Sequence, residues 1–181
     1  MTRTGPLRHA IAATVFVVAT VLAAADAGAE QRVIGTFTDW TAFVDQENGN
    51  RLCYIGAAPE QEEGDYTRRG NTYTLVTIRP QAHSHGVVTV EAGYPYRDGS
   101  TVTVEIDGNA FELYTRNRDG DGMGDAWAFG DDGDKALVRA MRAGRTMVVK
   151  GTSSRGTRTT DTYSLLGFTA AYNAMEQACR G

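Results

Sequence analysis

The sequence lacks most of the patterns that announce chemistry. Its 181 residues include two cysteines, three histidines and four prolines. There is no C-x-x-C pair and no G-x-S-x-G serine turn. A redox dithiol and a serine-type hydrolase triad are therefore without support in the chain. Positive charge is scarce as well. The formal net charge is −4 and no basic patch interleaved with aromatics offsets it, which disfavours non-specific binding of nucleic acid by phosphate neutralisation. The longest apolar run, residues 10–25, falls short of the roughly 20 residues that cross a bilayer.

That run has a different character. Arg3 and Arg8 precede it, Asp26 ends it, and Ala27-Gly28-Ala29 offers small residues for cleavage. Residues 1–29 read as a cleaved signal peptide, without the cysteine that lipoprotein processing needs, and the expected destination is the periplasm or beyond. Residues 30–181 then form one domain of 152 residues, enough to bury a sizeable core. Losing Arg3, Arg8 and Asp26 moves the net charge from −4 to −5. An exported chain with an even cysteine count favours a disulfide, here Cys53 to Cys179, which ties an early strand to the last helix.

Period-two alternation dominates what remains. Phe37, Trp40, Phe43 and Val44 supply bulk to the first strands, with Glu47 to Asn50 as a turn; Trp40 reads as core. Residues 59–71, acidic and then basic, have no sustained period and read as an exposed loop. Thr72 to Arg79 and Val87 to Ala92 read as strands around His83-Ser84-His85. Two histidines at i and i+2 share a face when extended, yet no third ligand stands nearby, so a polar turn is favoured over a metal pair. Val102, Val104 and Ile106 lead through Asp107-Gly108 into Phe111 and Leu113, a two-residue hairpin signal. Asp134 is the expected N-cap of a helix over 135–143, stopped by Gly144. Met147 and Val149, the turn at 154–156, and Tyr163 with Leu165 make a second hairpin. Phe168, Ala171, Tyr172, Met175, Ala178 and Cys179 follow at helical spacing.

Three places invite a functional reading. Asn117, Asp119 and Asp121 stand at alternate positions of the Gly-rich segment NRDGDGMGD, with Asp125 further on. Closely spaced oxygens of this kind suit Ca²⁺, although the Glu of an EF-hand loop is replaced by Ala128 and a solvated acidic turn competes. The acidic group Asp131, Asp132 and Asp134 is the candidate to complete the set from across the hairpin. Tyr94-Pro95-Tyr96 reads as packing at the sandwich end, with an exposed aromatic contact patch as the alternative. Arg155 and Arg158, within a Thr-rich run, are candidate contacts for an anion or glycan, although the run reads first as a strand with a wet threonine face.

Several words of the chain resemble the invasion-associated locus B family of Gram-negative envelope proteins. They are AGYPYRDGSTVTVEIDG (92–108), FELYT (111–115), Ala126-Trp127-Ala128, LVRAMRAG (137–144) and the hairpin and helix of 144–179. The resemblance implies an immunoglobulin-like β-sandwich exported to the envelope and linked by name to host-cell invasion, with no catalytic residues. The fold expected is thus all-β, an immunoglobulin-like sandwich with two short helices, one of them C-terminal. The function expected is that of a non-enzymatic envelope protein, periplasmic, outer-membrane-associated or secreted. It would touch an envelope or host-surface protein, with no nucleic acid, no transmembrane span after processing and no cofactor apart from the candidate Ca²⁺. The alternatives are a calcium-stabilised binding module and a hydrolase using Asp119, Asp121 and Asp125. Exposed carboxylates on a flexible tip lack the contrast in environment that acid–base work requires.

Overall fold

The structure, a computed structural model, describes Met1 and residues 31–180; Met1 apart, the expected signal peptide lies outside the described residues. The elements run β1 (Arg32–Phe37), β2 (Trp40–Glu47), β3 (Asn50–Ala57), β4 (Gln61–Gly64), β5 (Tyr73–Arg79), a 3-10 turn (Pro80–Ala82), β6 (Ser84–Glu91), β7 (Thr101–Ile106), β8 (Asn109–Asn117), β9 (Gly124–Ala128), α1 (Gly130–Ala143), β10 (Thr146–Thr152), β11 (Arg158–Ser164) and α2 (Phe168–Cys179). Every pairing is antiparallel, in the order β1-β2-β3-β5-β6-β9-β8-β7-β10-β11-β4. The sheet folds over on itself. Trp40 in β2 donates its indole N–H to the Ser164 carbonyl in β11 at 3.0 Å, although these strands stand near opposite ends of that order. This is the all-β sandwich with two short helices, one C-terminal, that the sequence predicts.

Alternation decides which face is core. Val102, Val104 and Ile106 point inward from β7, Met147 and Val149 from β10, and Ile55, Val76 and Val88 from the facing strands; all are buried in one cluster with Trp40, Tyr163 and Phe168. Burying such a side chain contributes on the order of 1.5–3 kcal/mol. The β7–β8 reversal is the two-residue turn expected, with positive φ at Asp107 (46°) and Gly108 (86°), a conformation whose twist matches that of the flanking strands. Helix α2 lays Phe168, Ala171, Tyr172 and Met175 against β1, β2, β3 and β5, while α1 covers β6 and β9. Cys53 in β3 and Cys179 at the end of α2 are joined by a disulfide, Sγ to Sγ 2.07 Å, across 126 residues. A closure of that length restricts the unfolded chain by on the order of 4–5 kcal/mol in the chain-entropy account.

Three local expectations are corrected, and Phe43, whose face the sequence reading left open, is placed. The 59–71 segment is not all loop, because Gln61 to Gly64 pairs with Thr159 to Thr162 as an edge strand. Phe43 lies on the outer face, stacked on Tyr54 at 4.8 Å, because it is one residue out of phase with the inward pair Trp40 and Ala42. Helix α1 starts at Gly130, with Asp131 and Asp132 in its first turn, where carboxylates favour the helix dipole. Asp134 is consequently inside the helix and buried, and its Oδ1 accepts the backbone N–H of Val88 at 2.9 Å.

Candidate functional site

Strand β11 carries an inward-facing carboxylate, Asp161, between the buried Thr159 and Tyr163. A charge in that position requires a partner. Arg69, from the connection between β4 and β5, supplies one. Its Nη1 and Nη2 donate to the two Asp161 oxygens at 2.5 and 2.6 Å, and the side chains are 3% and 2% exposed. Nε donates to the Ala92 carbonyl at 2.6 Å, and Nη1 also reaches Glu62 at 3.3 Å. The rings of Tyr66 and Tyr94 stand 5.6 and 5.1 Å from the guanidinium, a cation–π arrangement. Burial opposes the charge on Arg69, but the Asp161 hydrogen bonds and charge outweigh it and raise its pKa.

Pinned in this way, residues 65–70 form one wall of a groove of about 600 Å³. Residues 93–95 line its floor and the β10–β11 turn, 153–157, its other side. The wall approaches the floor backbone to backbone, with Gly70 N–H donating to Gly93 O at 2.8 Å; a Cβ on Gly93 would overlap the Gly70 carbonyl. Tyr94 and Thr159 share a hydroxyl hydrogen bond of 2.7 Å in the groove. Burial pushes the Tyr94 pKa up, against the pull of Thr159 and Arg69, so the phenol stays protonated. Arg68 and Arg155 line the groove from two different walls, both exposed, and neither forms an ion pair among the described residues. Asp65 is the one carboxylate among the lining residues.

The candidate contacts separate here. Tyr94 and Arg155 lie in the groove; Arg158 is exposed at the first residue of β11, outside its lining. Tyr96 is no surface contact: it is 1% exposed, its ring edge-on to Tyr94, because the Pro95 segment turns it into the core. Tyr66, Arg68 and Arg69 were passed over by the sequence reading as parts of a solvated connector. The available signal was an aromatic followed by two arginines next to an acidic run.

The acidic segment does not gather into a cation site. Asn117 is turned away, its Oδ1 accepting Tyr96 N–H at 2.7 Å and its Nδ2 donating to Tyr96 O at 2.9 Å. Asp121 accepts the Met123 N–H, and Asp119 is exposed at the tip. The cation present is Arg118, which reaches Glu91 at 2.9 Å, Asp121 at 3.3 Å and Asp125 at 3.5 Å. Asp131, Asp132 and Asp134 belong to α1 and complete nothing at the tip. Tyr73 donates to Glu91 at 2.5 Å, and burial together with that carboxylate pushes its phenol up to about 12. Among the described residues no group of three or more His, Cys, Asp or Glu is placed to hold a metal ion. His83 caps the 3-10 turn and His85 is the second residue of β6, and among the described residues no third ligand joins them. No described helix is long and apolar enough to cross a membrane.

The sequence matches no curated protein. Among solved structures it is similar to the crystal structure of invasion associated protein B from Bartonella henselae, with a TM-score of 0.56 and 19% identity over 81% of this chain and 96% of that one. That likeness speaks for the fold. The family profile described as invasion associated locus B (IalB) protein matches residues 40–176. Those residues take in every strand from β2 to β11, both walls of the groove and most of α2, and the chain belongs to the invasion associated locus B family.

Proposed function

We propose that this protein is a non-enzymatic envelope protein that acts by contact, and that the groove between the 65–70 loop and the β10–β11 turn is its contact site. The partner is an acidic segment of an envelope or host-surface protein. One observation carries the reading: two arginines without counterions, Arg68 and Arg155, on different walls of a groove lined by Tyr66 and Tyr94, in a chain of net charge −4. Guanidinium groups bind carboxylates through paired N–H donors, and tyrosines add rigid contact area with a polar tip. Arg69 does not bind the partner; it fixes the wall that presents Arg68. Export is supported by the leader-like residues 1–29 and by a disulfide, which persists in oxidising compartments.

Photo-cross-linking in cells tests the proposal. A photoreactive residue at Thr157 is expected to yield a discrete protein adduct that disappears in an Arg68→Gln, Arg155→Gln variant, whereas the same probe at Asp45, on the outer face of β2, yields none. Adducts at Thr157 that survive the double substitution would falsify the groove as the contact site.

A further inference from the structure

His85, set aside above as a metal ligand, stands in surroundings that suit the opposite charge. A recess of about 190 Å³ lies between α1, α2 and the start of β6, lined by His85, Gly86, Lys135, Val138, Arg139, Arg142 and Tyr172. No carboxylate is among them. Lys135, Arg139 and Arg142 are exposed and follow at i, i+4 and i+7, so one face of α1 presents all three. Arg142 is held in place, with Nη2 donating to Asn173 Oδ1 at 2.8 Å and its guanidinium over the Tyr172 ring at 5.1 Å. Lys135 has a loose pairing with the exposed Asp132 at 3.5 Å, and Arg139 has no ion pair among the described residues.

Tyr172 supplies an independent sign. The residue is 8% exposed, yet its hydroxyl makes no hydrogen bond among the described residues. It faces Gly86, where an added Cβ would lie 3.0 Å from the hydroxyl oxygen; the positive φ of 73° at this bulge is what calls for glycine, and the missing side chain leaves the recess open. The hydroxyl is not one of the buried polar atoms that lack a partner; it opens into the recess, where its donor is available to a ligand or to water. Burial and Glu176 outweigh Arg142 and push its pKa up, so at neutral pH the hydroxyl holds a proton to donate.

We infer that this recess binds a phosphate-class anion, with the Arg139, Arg142 and Lys135 side chains neutralising it and the Tyr172 hydroxyl donating from the floor. The volume, about a third of the groove's, admits a compact group. Converging guanidinium groups suit a multiply charged tetrahedral oxyanion, which offers more acceptor oxygens than a single carboxylate. Two sources supply such a group: a free phosphate or phosphomonoester, and the headgroup of an anionic phospholipid. The site is separate from the groove and independent of the function proposed for it.

The test uses the processed full-length chain. Inorganic phosphate and glycerol phosphate are titrated at neutral pH by calorimetry and by phosphorus NMR. Sedimentation with phosphatidylglycerol-containing vesicles, against phosphatidylcholine vesicles, forms the second arm. Saturable binding in either arm is expected, weakened about tenfold or more by Arg139→Gln, which removes a charge-assisted contact from an exposed position. Tyr172→Phe keeps the ring and its packing and is expected to weaken binding several-fold, while Arg155→Gln in the groove leaves it unchanged. Binding confined to vesicles and displaced by phosphate identifies a lipid headgroup; binding to free phosphate without vesicle binding identifies a soluble ligand. The inference is overturned by no saturable binding at millimolar phosphate together with no preference for anionic vesicles, or by binding indifferent to both Arg139→Gln and Tyr172→Phe.

Discussion

Two arginines gather carboxylates in this molecule, and their surroundings set them to different tasks. Arg69 and Asp161 are 3% and 2% exposed, joined by two hydrogen bonds, with a third to a backbone carbonyl. Arg118 is 37% exposed and spreads its charge over Glu91, Asp121 and Asp125, of which Asp121 is 58% exposed. The first pair is isolated from water, so either member alone is an uncompensated buried charge. The second cluster is screened, and its members can exchange water for one another. The buried pair therefore fixes a loop and shapes the groove. The half-exposed cluster neutralises an acidic tip that would otherwise repel itself or recruit a cation.

Breaking the buried pair is the largest disturbance expected. Arg69→Met strands Asp161 and costs about 3–5 kcal/mol in denaturant unfolding; adding Asp161→Leu in the same chain recovers most of it, although contact through the groove stays lost. A cost near zero for Arg69→Met would show that water reaches Asp161 and that the contrast with Arg118 is false. Arg118→Gln comes next, at about 1–2 kcal/mol, because Glu91 and Asp125 lose a partner while solvent screens the remainder. The same variant sharpens the comparison through calcium: millimolar Ca²⁺ leaves the melting temperature of the native chain unchanged and raises that of Arg118→Gln, whose carboxylates then lack their cation.

Acid titration resolves a smaller effect. Burial raises the Asp125 pKa and exceeds the lowering by Arg118. An acid whose pKa is higher folded than unfolded contributes stability that is fully present below its ordinary value and lost as pH rises through the folded value. Relative to Asp125→Asn, the native chain should therefore gain stability as pH falls from neutral into the carboxylate range, and urea midpoints at a series of pH values measure it. A gap that moves the other way would mean that Arg118 dominates the site. The smallest change in stability is expected of Arg155→Gln, within about 0.5 kcal/mol, since the side chain is exposed and unpaired. Its effect is expected on partner capture instead, which is how the proposed contact residue would differ from Arg69.

Much of the sandwich was legible in the chain. Met147, Val149 and Tyr163 lie inward as their alternation predicts, and Phe168 to Met175 bury the stripe their spacing defines. The errors and the open alternatives have a shared cause. Gln61 to Gly64 is polar and exposed throughout, so its identity as a strand rests on a ladder with β11 and leaves no mark in hydrophobic period. Tyr96 packs inward as the sandwich-end reading expects, and the recognition patch stayed open as an alternative because an aromatic in a loop carries no sign of which way it turns. For Asn117, Asp119, Asp121 and Asp125 a cation site stayed open beside the solvated acidic turn, because their spacing is all that a sequence displays. Whether their oxygens converge depends on Tyr96 and Arg118, which use them first.

By itself the sequence determined the alternating strands, the Asp107-Gly108 hairpin, the phase of the last helix and the cysteines available for bridging. Each is written in neighbours a few residues apart, where backbone sterics and side-chain period act directly. Tertiary structure alone decided that Arg69 would meet Asp161 across 92 residues, that Arg118 would stand among three carboxylates, and that Arg68 and Arg155 would face one groove. It also placed Tyr172 beside His85 and the basic face of α1. Charge has no period along a chain. Its partners are chosen by which surfaces the fold brings together and how much water it leaves between them.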